Sequence, residues 1–395
     1  MRLFSDVSTH IDDPWLRRAF TLAERGRGTT APNPIVGCVI VSDGVVVGEG
    51  YHERAGEPHA EVVALRHAGE AARGATAYVT LEPCNHHGRT PPCTEALLDA
   101  GIARVVIGMT DPNPQVGGGG AAMLRDAGVD VTLAADARPF EEQNESWIAF
   151  ARTGRPFVRV KLALSLDGHP ALAPGRRSAI TGASGAEVTR RLRSQADAVL
   201  VGASTARVDD PALTARQSDG TLLGRQPQRV ILARTDLPPA SSRVFTDRVA
   251  PTLVLVPAEL AARARDTVSD VVEIVEFDAE EGIGSALRVL GARGVVDLLV
   301  EPGPHLFTSL WEGKLVDELV TVHAGGMAGT AAPGLFLGHP DVTGPPADVL
   351  AHRAVPVEAG IVGDVCVTVW RPARPEHHRD GEVHRASQPS TAPRR

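Results

Sequence analysis

Apolar positions in the first third of the chain switch repeatedly between the period of a helix and that of a strand. After Asp12-Asp13-Pro14, which has proline early in a helix start, Leu16, Ala19, Phe20 and Ala23 fall on one helical face. Residues 35–41 and 45–47 read as a strand pair turned by Asp43-Gly44, a hairpin dipeptide. Residues 59–71 read as a helix, 75–81 as a strand, and 92–100 as a helix stopped by Gly101. Residues 105–109 and 129–133 read as strands around a helix at 121–127, so this part predicts a three-layer α/β unit. A second series of strand-like runs follows at 157–164, 198–201, 229–233, 252–256, 298–300, 319–322 and 365–370. Arg152-Thr153-Gly154-Arg155-Pro156 reads as a linker. Beyond residue 371 apolar residues run out, and 373–395 reads as a disordered tail. The expected division is 1–150 and 155–372.

Composition narrows this picture. A chain of 395 residues is too long for one ordinary core, which agrees with two domains. A net charge of −8 argues against a general nucleic-acid binder. No apolar run reaches membrane-spanning length, and the first residues lack the apolar stretch of a leader. Four cysteines make no disulfide framework and suit the reducing cytoplasm. Lysine occurs only at 161 and 314, so the many arginines reflect overall residue usage and carry little meaning singly.

His59-Ala60-Glu61, Pro83-Cys84 and Pro92-Cys93 carry the chemistry. One imidazole and two thiolates fill three corners of a tetrahedral zinc and leave the fourth for water. A carboxylate beside them, Glu61, can carry protons, which completes the set used by zinc deaminases. Deep inside a helix, residues 59 and 61 would diverge; at a first turn both can approach one point. Cys93 also sits at a predicted helix start, where thiolates are favoured. A closed structural site is the bland alternative, with His86 or His87 as fourth ligand. Eight residues, 85–92, separate the two cysteines, where most deaminases have two between them.

The run Thr80-Leu81-Glu82-Pro83-Cys84-Asn85-His86-His87-Gly88-Arg89-Thr90-Pro91-Pro92-Cys93 resembles the bifunctional riboflavin-biosynthesis deaminase/reductase family. Ala31-Pro32-Asn33-Pro34-Ile35-Val36-Gly37-Cys38, Gly48-Glu49-Gly50-Tyr51-His52 and Asp111-Pro112-Asn113-Pro114 agree with it, and the likeness spans about residues 10–370. The resemblance implies a cytidine-deaminase-like first domain, with zinc on His59, Cys84 and Cys93 and Glu61 as catalytic proton carrier. Its substrate would be 2,5-diamino-6-ribosylamino-4(3H)-pyrimidinone 5′-phosphate. Asn33 would hold the pyrimidine by its polar edge, and His52, His86 and Arg89 would meet the ribose phosphate.

The second domain carries the likeness further, through Lys161-Leu162-Ala163-Leu164-Ser165-Leu166-Asp167-Gly168, the stretch from Gly202 to Arg216, and Glu301-Pro302-Gly303-Pro304. These imply a dihydrofolate-reductase-like domain that uses NADPH to reduce the ribosyl group to ribityl. Ala163, Thr205, Asp209 and Gly303, Pro304, His305, Leu306, Phe307, Thr308 and Ser309 would contact NADPH. Arg193, Leu213, Arg216 and Glu301 would line the sugar-phosphate substrate, with Lys161 and Asp167 as nearest acid or base. No Gly-x-Gly-x-x-Gly follows the first strand, so a Rossmann site is not indicated. The chain departs from the family pattern at His169-Pro170-Ala171, Ala233-Arg234, Ala324-Gly325-Gly326-Met327 and Pro302, and at Ala179, where a tryptophan is usual. These departures leave open an alternative: a deaminase whose reductase domain is inactive or altered and which acts on a related pyrimidine. A nucleic-acid-editing deaminase is disfavoured by the acidic, aromatic-poor composition. The expected partners are small molecules, with neither nucleic acid nor membrane, and self-association is left open.

Overall fold

A computed structural model describes residues 3–4, 6–86, 91–112, 119–173, 175–268, 270–335 and 353–373. Arg89, the second half of the Asp111-to-Pro114 motif, and residues 374–395, which include almost all of the expected tail, lie outside the described residues. The strands of the described residues form two sheets, one of five strands and one of nine.

In the first unit, β1 (Gly37–Ser42), β2 (Val45–Tyr51), β3 (Thr76–Leu81), β4 (Arg104–Met109) and β5 (Asp130–Leu133) lie in the order β2-β1-β3-β4-β5. β1 is antiparallel to both neighbours, and β3, β4 and β5 run parallel. Strand alternation sends Cys38 and Ile40 to one face and Val39 and Val41 to the other. The first face is covered by α2 (Ala60–Ala68), α3 (Cys93–Asp99) and α4 (Gly119–Asp126). The second is covered by α1 (Pro14–Ala23) and α5 (Arg138–Gln143), through Leu16, Phe20 and Phe140. α6 (Glu145–Thr153) follows α5 and leads out of the unit. Asp13 caps α1 by accepting from Trp15 N and Leu16 N. Asp43 and Gly44 both have positive φ, the geometry of a type I′ hairpin turn.

β2 runs four residues past the strand read from sequence, because Gly48 and Gly50 interrupt its apolar pattern. Both glycines serve a close approach. A Cβ at 48 would lie 2.2 Å from Ala64 O, and one at 50 would lie 2.4 Å from Ala60 O. The sheet therefore carries α2 at backbone contact, and α2 carries Glu61.

In the second unit, the strands are β6 (Phe157–Leu164), β7 (Ala198–Gly202), β8 (Gln228–Leu232), β9 (Thr252–Val256), β10 (Val272–Glu276), β11 (Asp297–Val300), β12 (Glu318–Ala324), β13 (Ala354–Val362) and β14 (Val365–Pro372). Their order is β10-β9-β8-β7-β11-β6-β12-β14-β13, parallel from β10 to β12, with an antiparallel β13–β14 hairpin added at the edge. The helices are α7 (Gly182–Gln195), α8 (Ala203–Asp209), α9 (Arg243–Thr246), α10 (Ala258–Thr267), α11 (Ile283–Ala292) and α12 (Pro304–Glu312). Apolar side chains fill both faces of the sheet, which is why its central strands read as continuous apolar runs. β10 and β13 were not expected. β13 is mostly exposed or half-buried along its length and shows no apolar alternation.

The stretch read as a linker is shorter than expected. α6 continues to Thr153, and Gly154, at φ +69, ends it, so residues 154–156 join the units. β14 likewise extends to Pro372, just past where the polar stretch begins. The two units pack directly together. Fully buried Arg159 on β6 binds Glu318 Oε1 at 2.5 Å and Asp297 Oδ1 at 2.7 Å. Ser146 Oγ on α6 donates to Asp297 Oδ2 at 2.7 Å, and Arg371 on β14 pairs with Glu145 on α6. No helix among the described residues is long and apolar enough to cross a membrane.

Candidate metal centre and reductive cleft

His59 is the N-cap of α2, with extended backbone at φ −71 and ψ 162, and Glu61 lies in the first helical turn. This geometry resolves the problem of their spacing, since the cap residue has not yet entered the helical rotation. Cys93 is the first residue of α3, and Cys84 lies just past β3. Among the described residues, His59, Cys84 and Cys93 are the group whose ligand atoms all lie within 4.8 Å of one another. His59 Nδ1 is 3.2 Å from Cys93 Sγ and 3.5 Å from Cys84 Sγ. Tetrahedral zinc, with bonds of about 2.3 Å to sulfur and about 2.0 Å to nitrogen, needs a nitrogen–sulfur separation of about 3.5 Å. The donor set therefore fits zinc.

Glu61 is 3% exposed. Burial pushes its carboxyl up to about 7, and the Cys84 sulfur adds to the rise. Cys84 is brought down to about 4, first by the hydrogen bond from Cys93, while Cys93 is pushed up as the partner that keeps the shared proton. A dication held between them keeps both as thiolates. Cys93 N also donates to Cys84 Sγ at 3.3 Å.

Thr94 holds Cys84, and Glu82 and Gly120 hold the loop just before it. Thr94 donates to Cys84 O from both its backbone N and its hydroxyl. Buried Glu82 accepts from Ala121 N at 2.8 Å and from Asp111 N at 3.0 Å, tying the end of β3 to α4. At Gly120 a Cβ would lie 1.9 Å from Pro83 O, so only glycine lets α4 close on the ligand loop. Glu82 stands within the Leu-Glu-Pro-Cys run, and its type, a carboxylate in an apolar stretch, was the available signal.

Asn33 and His52 come together beside this cluster. Asn33 Nδ2 donates to His52 Nε2 at 3.0 Å, His52 Nδ1 donates to Pro58 O at 3.2 Å, and the His52 ring meets the His59 ring edge-on. His52 is 2% exposed, and burial lowers its pKa, so it is a neutral ring with both nitrogens engaged. His86 is exposed.

In the second unit, Arg193 and Glu301 form a two-point pair, Nε to Oε1 at 2.6 Å and Nη2 to Oε2 at 2.9 Å. Burial alone would raise Glu301, but Arg193 outweighs it and holds the carboxylate below its usual range. Burial lowers Lys161, and nearby Glu301 opposes the fall. Arg216 donates to Thr214 Oγ1 and to Gly220 O. Leu213, at φ +50, has its side chain fully buried in the core, which leaves its backbone to line a ligand. Asp167 accepts from Ala328 N, Gly329 N and Ser165 Oγ. Ala328 first, and the other two donors with it, hold it ionised well below the usual range. It anchors a loop and has no proton to give.

β7 and β11 are neighbours, and each is followed by a helix capped by glycine without a side-chain cap bond: Gly202 before α8 and Gly303 before α12. A Cβ at 303 would lie 3.0 Å from Thr205 Oγ1, so the glycine leaves a cradle there. Thr308 Oγ1 and Ser309 Oγ turn back to carbonyls of α12, and Leu306 and Phe307 are core side chains. The open donors are the backbone N–H groups of the first turn, which suit a dinucleotide phosphate at the carboxyl ends of parallel strands. Asp209 is half-buried near Arg177, and burial raises its pKa.

Residues 156–358 match the model of the RibD C-terminal domain, and residues 9–109 match that of the cytidine and deoxycytidylate deaminase zinc-binding region. The riboflavin biosynthesis protein RibD of Escherichia coli is 45% identical over 338 residues, covering 82% of this chain and 90% of that protein. This chain belongs to the bifunctional riboflavin-biosynthesis deaminase/reductase family. The Haemophilus influenzae member of the family is 42% identical over 335 residues, covering 82% of this chain and 88% of its own. The solved structure of Acinetobacter baumannii RibD superposes with a TM-score of 0.81 at 34% identity, over 93% of this chain and 99% of that one. That of a Thermotoga maritima diaminohydroxyphosphoribosylaminopyrimidine deaminase/5-amino-6-(5-phosphoribosylamino)uracil reductase gives 0.78, also at 34% identity and the same coverage. As a member of the family, the chain is a zinc-dependent deaminase and an NADPH-dependent reductase, and both units are present in that order.

Proposed function

We propose that the first unit deaminates 2,5-diamino-6-ribosylamino-4(3H)-pyrimidinone 5′-phosphate and that the second reduces the ribosyl group of the product to ribityl. The convergence of His59, Cys84 and Cys93 beside buried Glu61 carries this reading. Bound zinc supplies a Lewis acid that makes water nucleophilic near neutral pH. Glu61 takes the proton as a carbon–oxygen bond forms at the amine-bearing carbon, then delivers it to the amine as the carbon–nitrogen bond breaks and ammonia leaves. Burial of Glu61 favours a carboxyl that carries a proton through both halves of that transfer. Asn33, with its amide N–H turned to His52, has its carbonyl oxygen available for a donor edge of the pyrimidine. His86 and Arg89 would meet the phosphate.

In the second unit NADPH supplies a hydride to C1 of the opened sugar. Gly303 to Ser309, with Ala163, Thr205 and Asp209, would hold the cofactor, chiefly through the first-turn N–H groups of α12. Lys161, Arg193 and Glu301 supply a charged, half-buried cluster, and Arg193, Leu213, Arg216 and Glu301 would line the sugar-phosphate substrate. We place the enzyme in the cytoplasm, which its four free cysteines suit.

One assay tests both halves. Full-length zinc-loaded protein is given the diaminopyrimidine with NADPH, and ammonia and NADPH oxidation are read separately. Ammonia release should come first and persist without NADPH, and NADPH oxidation should need the deaminated product. Ammonia release without any NADPH oxidation, even with that product supplied, would leave only the deaminase.

A further inference from the structure

We propose that Arg225, a residue of the second unit, is a positioning residue for deamination in the first. The inference rests on the reading of Asn33 as the pyrimidine contact. A crevice between the units is lined by Arg27, Gly28, Asn33, Gln195, Asp197 and Asp297. Its first-unit wall is the loop that presents Asn33. Its opposite wall is the carboxyl end of α7 and the amino ends of β7 and β11.

Two close approaches carry this loop across the crevice, Pro32 toward Gly294 and Gly28 toward Arg225. Gly28 sits at φ +77, and a Cβ there would lie 2.5 Å from Arg225 Nη1. The guanidinium therefore lies against bare backbone of the loop. Arg225 is itself fixed: Nη2 donates to Ala196 O at 2.7 Å and to Asp197 Oδ1 at 3.3 Å, and Nη1 donates to Ser194 O at 3.4 Å. Asp197 in turn accepts from Val296 N and Asp297 N. The far end of the loop is held as firmly. Asn144 exchanges two hydrogen bonds with the backbone of Ile35, each 3.0 Å, and Ser146, two residues on, binds Asp297. Asn33 thus projects from a loop clamped at both ends, with Arg225 as the clamp at Gly28. A binding contact that is not held in place beforehand must be ordered when the ligand binds, so slack at Gly28 should weaken the hold on the substrate through Asn33. Arg225 touches neither Glu61 nor the metal ligands, and its loss should weaken substrate binding with little change in the chemical step.

The test uses full-length zinc-loaded Arg225→Ala and Gly28→Ala, with Asn33→Ala alongside. Both crevice variants should raise the KM for deamination roughly five- to tenfold, with kcat within about twofold of wild type and one zinc retained per chain. In Gly28→Ala, reduction of supplied deaminated pyrimidine should be unchanged. Wild-type KM in both crevice variants, while Asn33→Ala is impaired, would overturn the role of Arg225 alone. So would an equal loss of both reactions together with lost zinc, which marks general damage. A wild-type protein that releases no ammonia would instead overturn the proposed function itself.

Discussion

Glu61 is useful because of where α2 begins. Had the helix started one turn earlier, residues 59 and 61 would point in different directions, and the carboxylate would lie outside reach of the metal ligands. Extended backbone at His59 removes that conflict, and Glu61 is buried beside the metal ligands, where it can carry a proton. Replacing Glu61 by Gln keeps the volume and removes the titrating oxygen. Glu61→Gln should retain one zinc per chain by atomic absorption while its kcat for ammonia release falls about 10²- to 10⁴-fold. Turnover like that of wild type would remove Glu61 from the chemistry. His52 is seated in the same local way: it is buried, accepts from Asn33 and donates to Pro58 O.

Close approach between elements places the ligand loop, and glycines permit it. Gly48 and Gly50 let α2 lie on β2, and Gly120 lets α4 close on Pro83, next to Cys84. Gly120→Ala should force α4 outward, destabilise the protein by roughly 1–3 kcal/mol in chemical denaturation, and speed zinc loss to a chelator. Unchanged stability and zinc retention would mean that α4 yields freely. These glycines also explain what could be read from the sequence. The hairpin at Asp43-Gly44, the helix starts at Pro14 and Cys93, and the central strands of the second unit follow from local pattern and turn chemistry. The last residues of β2 did not, because glycine placed for a neighbour's backbone looks like a strand end. β13 was hidden because an exposed edge strand shows no apolar period, and β10 because its run mixes glutamate with valine. The three metal ligands were legible as a motif. Their supports, Thr94 and Glu82, were not, since their partners are backbone groups brought close by the fold alone.

The two units share a charged seam. Arg159 is buried with carboxylates from β11 and β12 around it, so it holds Asp297 in place for Ser146 of the first unit. Breaking such a buried set by removing one member leaves charge uncompensated. Asp197 lies on the same seam, and burial, with Asp297 adding to it, pushes its pKa up to about 6 from an ordinary 3.8. The folded state thus binds this proton more tightly than the unfolded chain. Its contribution is fully present below about pH 4 and is lost as pH rises through 6, a change on the order of 3 kcal/mol. Asp197→Asn keeps an oxygen for Val296 N and Asp297 N but does not titrate. The Tm of the variant minus that of wild type should therefore increase by about 2 °C or more between pH 5 and pH 7. A difference that stays flat or shrinks would show that Asp197 ionises freely at the seam.

X-ray absorption at the zinc edge of the full-length protein tests the whole account most directly. One zinc per chain should show two sulfur neighbours at about 2.3 Å and two nitrogen or oxygen neighbours near about 2.0 Å, one of the latter exchangeable with small anions. A shell of three or four sulfurs, a shell with no sulfur, or four protein ligands closed to exchange would contradict it.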